Sequence, residues 1–169
     1  MKNTVFKYGI YSAIAISALF LIGWFVGKGL GLGYSGQEVV GYASIIVSLS
    51  FVFFGIKHFR DQENEGKVSF GKAVLIGLLI SLFASIAFGI VDIIYLQLNP
   101  DFTTEYYTHH VAELKESLSG IELEAALIKM EEEKELFSSP TMSFLLMALT
   151  VFMIGIIVSV LSALLLQRK

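Results

Sequence analysis

Asp92 stands in FGIVDIIYLQL (88–98), inside an apolar run of some two dozen residues. A carboxylate at such a place is costly unless it faces protein or water, so it reads either as part of an ion or proton path or as a group held by neighbouring hydroxyls. Asp92 follows Gly89 by three residues, on or beside a strip of small side chains that turns it toward protein. It also precedes Pro100 by eight residues, roughly 12 Å of helix, which sets it away from the middle of the run. Its protonation depends on whether water or a cation reaches it. No Lys or Arg lies within any long apolar stretch, so one chain offers no internal ion pair.

A second constellation is EYYTHHVAE, where Glu105, His109 and Glu113 recur every four residues and share a helical face. Carboxylate and imidazole can bind zinc, but two His ligands four apart with a Glu between them are missing, and a solvated helix face is the better account of the pattern. The glycines of KGLGLGYSGQE invite comparison with a phosphate-binding loop. No strand precedes them and no Lys-Ser/Thr follows, so they read as a turn between helices. The chain has no cysteine, and no serine of the apolar stretches has a nearby histidine in sequence to activate it. The expectation is therefore a protein that is not an enzyme, with no catalytic residue, metal site or cofactor.

The elements that must position these residues follow from composition. Hydrophobic residues make up 55% of the 169 and charged residues only 16%, against about 25% in an ordinary soluble domain. The apolar residues fall in four blocks, approximately 8–27, 39–56, 73–98 and 142–166. At about 1.5 Å per residue each can cross a bilayer core of roughly 30 Å as a helix. The first block has a basic start like a signal peptide, but its apolar run is too long and no small-x-small cleavage site follows before Lys28, so it is expected to be a retained span.

Between the third and fourth blocks lies a helical segment of approximately 103–137. Tyr107, Val111, Leu114 and Leu118 define one apolar face, and Leu123, Leu127, Met130 and Phe137 another. Ser119-Gly120 divides the two halves, with Ser119 and Glu122 at the spacing of a capping box. The fold class expected is thus all-α: a four-transmembrane-helix bundle in one integral membrane domain, with an extracytoplasmic amphipathic helical hairpin between the third and fourth spans. Gly77, Ser81, Ser85 and Gly89 in the third span, and Gly155, Ser159 and Ala163 in the fourth, recur every four residues and fit close helix packing. A polar-lined path is the alternative for the same residues.

Charge placement sets orientation. Lys2, Lys7, Lys57, Arg60, Lys67, Lys72, Arg168 and Lys169 fall on one side against Asp61, Glu63 and Glu65. The third connection has only Lys115, Lys129 and Lys134 beside ten acids. The positive-inside rule then puts both termini in the cytoplasm of a cell inner membrane and 99–141 outside it. Basic groups near the inner surface suit the lipid bilayer, and nothing resembles a nucleic-acid-binding stripe.

The segments KYG, GY-x-S, FFGIKHFRD and VSFGKA-x-x-x-G-L-L-I-S, followed by FSSPTMSFLL and a terminal SALLLQRK, occur in this order. The arrangement resembles the DUF4199 family, multi-pass bacterial membrane proteins of unknown function found mainly in Bacteroidetes-type bacteria. The resemblance implies a cytoplasmic-membrane protein and brings no activity or site residue with it. The reading that follows is a scaffold or interaction module in the bacterial envelope, partnered by lipid, by another envelope protein or by a second copy of itself. The alternative is a small transporter or channel-like subunit with Asp92 in its path.

Overall fold

The computed structural model describes residues 1–168, the side chain of Lys28 excepted; Lys169, counted above among the basic residues, lies outside the described residues. Six α-helices follow in order: α1 (Lys2–Gly29), α2 (Tyr34–His58), α3 (Phe70–Leu98), α4 (Phe102–Ser117), α5 (Gly120–Ser138) and α6 (Pro140–Leu166). A π-helical turn, Phe59–Glu63, closes α2. The described residues hold no strand, and their one isolated bridge pairs Val68 with Arg168. Four of these helices, α1, α2 with its π turn, α3 and α6, are long and apolar enough to cross a membrane. Each overruns its apolar block at one end or both, because backbone hydrogen bonds continue into the flanking polar residues.

The chain divides into two compact units, one of 1–88 with 147–169 and one of 89–146, the divisions falling inside α3 and α6. In the first unit Leu49, Val52 and Ile56 of α2, Ile76 and Ile80 of α3, Ile16 of α1 and Val151 of α6 are fully buried. The helices come close because small residues meet. A methyl group on Gly77 would stand 2.5 Å from Ser159 Oγ, and one on Gly155 would stand 2.5 Å from Ser81 Cβ. These reciprocal contacts run antiparallel, glycine of one helix against serine of the other. Ser81 and Ser159 donate to the carbonyls of Gly77 and Gly155 on their own helices, at 2.9 and 2.6 Å. Ser85 and Ala163 are buried as well. Hydroxyls satisfied in this way behave as small packing residues.

The glycine-rich link differs from the expectation. Helix α1 runs through Gly27 to Gly29, and α2 has already begun by Gly36. The reason is packing: a methyl group on Gly23 would meet Val40 at 3.0 Å and one on Gly27 would meet Gln37 at 3.2 Å. Gln37 Nε2 then donates to Leu32 O at 2.9 Å, and Gly31, at φ +63°, makes the reversal.

The second unit contains the helical hairpin. Tyr107 is buried and Val111 and Leu114 are half-buried on α4, as are Leu118 at its C-cap and Leu123, Leu127, Met130 and Phe137 on α5. The two helices pack on each other. Ser119 takes the N-cap position in extended conformation, but its hydroxyl makes no capping hydrogen bond, so the expected capping box does not form. Gly120, at φ +62°, makes the turn instead.

Candidate functional site

Asp92 is 7% exposed near the end of α3. Ser143 Oγ, fully buried in the first turn of α6, donates to its Oδ2 at 2.7 Å. Gly89 permits the approach: a methyl group there would stand 2.6 Å from the Phe144 ring and 3.1 Å from the Phe144 carbonyl oxygen. Pro140 opens α6 at a position where its missing N–H leaves no intrahelical bond unmade, which puts Ser143 in register one turn inside. One turn beyond Asp92, Tyr95 is buried against Phe102, ring centroids 5.0 Å apart, and Asn99 Nδ2 donates to Tyr95 O at 2.9 Å. Ser143 was not legible as a partner, because 51 residues separate it from Asp92. In this arrangement one hydroxyl holds one carboxyl group between two helices.

Glu105, His109 and Glu113 share α4 but are not assembled as a ligand set. Glu113 lies 3.0 Å from His110 Nδ1 and 3.8 Å from His109 Nδ1. His110, which sequence spacing did not single out, packs edge-on against Tyr106 at 4.3 Å and buries an Nε2 that has no hydrogen-bond partner. Among the described residues no three His, Asp or Glu side chains stand where they could hold a metal ion. Tyr107, on the hairpin's inner face, has its phenol held above the usual tyrosine range by burial and, to a lesser extent, by the Glu133 carboxylate.

A third cluster gathers the segments that carry the family pattern. Tyr8 of KYG packs on His58 of FFGIKHFRD, ring centroids 5.5 Å apart, and would lie 3.2 Å from a methyl group on Gly55. Lys72 of SFGKA sits over the Phe59 ring at 4.8 Å. Arg60 is 9% exposed; it grips Asp61 through two donors, at 2.6 and 3.1 Å, and reaches Leu166 O at 3.3 Å. Glu63 accepts from Thr4 and from the Met1 ammonium. Backbone bonds between Val68 and Arg168, both 2.9 Å, tie the chain end to the same loop. The cluster is a structural junction in which Arg60 holds Asp61 and Leu166 O, and Glu63 holds Thr4 and the Met1 ammonium.

No curated protein and no solved structure matches the chain. The family described as "Protein of unknown function (DUF4199)" matches residues 7–168, nearly its whole length. With four helices apolar and long enough to span a bilayer, the chain is a membrane protein and belongs to the DUF4199 family.

Proposed function

We propose that this protein is a scaffold or interaction module of the bacterial cytoplasmic membrane, binding a partner and catalysing nothing. In this reading the four long helices cross the bilayer, both termini and the Phe59 to Lys72 connection lie in the cytoplasm, and 99–141 lies outside. The lysine and arginine bias supports that orientation. The observation that carries the docking role is the unequal use of α5. Its half-buried face is committed to α4, while Ile121, Ile128 and Leu136 stay exposed on the other. Large aliphatic side chains left open on a water-facing helix are a common mark of an interaction surface.

A photo-crosslinking amino acid at position 128 should give a discrete adduct in native membranes, whereas the same group at the half-buried position 127 should not. Indistinguishable, diffuse products from both positions would contradict the docking role. The transporter reading is favoured by one observation, the buried Asp92–Ser143 pair. Cation or proton flux in liposomes that Asp92→Asn abolishes would replace the scaffold with that alternative.

A further inference from the structure

The docking role, on which this inference rests, leaves the chemistry of the partner open, and α5 narrows it. Ile121, Ala125, Ile128 and Leu136 lie along one outward strip, with Ile121 85% and Ile128 62% exposed, and Glu132 stands on the same line between Ile128 and Leu136. From Ile121 to Leu136 it runs about 22 Å, four helical turns. Along one edge stand Glu124, Glu131 and Glu135, spaced so that they follow the strip. Of the two lysines, Lys129 lies on the opposite side, 3.9 Å from Glu133, whereas half-buried Lys134 reaches back to the edge and offsets Glu131 at 3.9 Å. The helix as a whole has six glutamates against these two lysines.

Three kinds of surface could cover such a strip. A second copy would bring an equally acidic edge against this one, and like charges brought together across an interface oppose association. A bilayer surface with anionic lipid repels it too; helices that lie on membranes have lysine and arginine beside their apolar face, the reverse of α5. A helix with an apolar stripe flanked by lysine or arginine meets both features, filling the strip and pairing with the glutamate edge. We infer that the outer face of α5 docks a basic amphipathic helix of about four turns belonging to another protein.

The test uses the full chain in zwitterionic nanodiscs and a fluorescent amphipathic Leu/Lys peptide of about 18 residues, long enough to match the strip. A Leu/Glu peptide of the same pattern and empty nanodiscs serve as controls. Saturable binding of the Leu/Lys peptide above the empty-disc level is expected, weakening as salt rises. Ile121→Ser with Ile128→Ser should weaken it about tenfold or more, a change of about 1.4 kcal/mol. Glu124→Gln with Glu131→Gln and Glu135→Gln should remove most of the salt dependence while circular dichroism stays unchanged. Equal binding of the Leu/Glu peptide, wild-type binding by both variants, or binding no greater than to empty discs would each overturn the inference. So would a dimer in detergent that the isoleucine variants dissolve, which would assign the strip to a second copy. A position-128 adduct in native membranes without peptide binding would overturn this inference alone; loss of both results would also remove the docking role.

Discussion

Ser143 and Asp92 form a pair with a measurable worth. Removing a hydroxyl that satisfies a buried carboxyl group strands the acceptor, at a cost of about 1–3 kcal/mol. Ser143→Ala should therefore lower unfolding stability in detergent by about that much. Asp92→Asn should cost less than about 1 kcal/mol, since a carboxamide oxygen can still accept from Ser143. The reverse order would mean that the carboxyl group serves something other than this hydroxyl. Asp92 was legible because a lone acid in an apolar run is conspicuous, and Gly89 told which way it faces. Its partner was not, because no periodicity links residues on separate helices. The Glu105, His109 and Glu113 spacing shows the converse: three residues legible as one face, whose Glu113 lies closer to His110 than to His109.

Helix contacts give a sharper contrast, between two glycines of similar sequence context. Gly77 faces Ser159, whereas a methyl group on Gly41 would meet nothing within 4 Å. Gly77→Ala should destabilise by about 1–3 kcal/mol through overpacking, and Ser159→Gly in the same chain should recover much of it. Gly41→Ala should be neutral or stabilising by up to about 1 kcal/mol, because alanine restricts the unfolded chain and suits a helix. Equal effects at both positions in thermal unfolding would contradict the packing described. Four-residue periodicity marked the tight strips but left a polar path open as their alternative; at Ser81 and Ser159 the hydroxyls are bonded to their own helices. The hairpin faces were legible for the same reason, since Tyr107 to Leu118 and Leu123 to Phe137 repeat with the helix. The ends were less so: Gly27 stays helical because Gln37 of α2 packs against it, and Gly120 rather than a Ser119 cap turns the hairpin.

For the whole molecule, the family segments KYG, FFGIKHFRD and SFGKA meet at one junction, where Tyr8 packs on His58, Lys72 sits over Phe59 and Arg60 holds Asp61. Their order in sequence identified the family, but only the fold shows that they touch. Disturbing the junction should loosen the loop without touching the hairpin: Arg60→Ala removes the donors to Asp61 and to the Leu166 carbonyl and should let the loop open more often. That opening would appear as faster proteolysis between residues 59 and 72. Unchanged cleavage would mean that Arg60 does not hold the loop. The central claim, that four spans put this junction inside the cell and the acidic hairpin outside, has a direct test because the chain has no cysteine of its own. Single cysteines at Glu65 and Glu124 would be exposed to a membrane-impermeant maleimide on intact cells. Modification at 124, with 65 reacting only after lysis, is the result predicted; the opposite pattern, or equal modification of both before lysis, would contradict it.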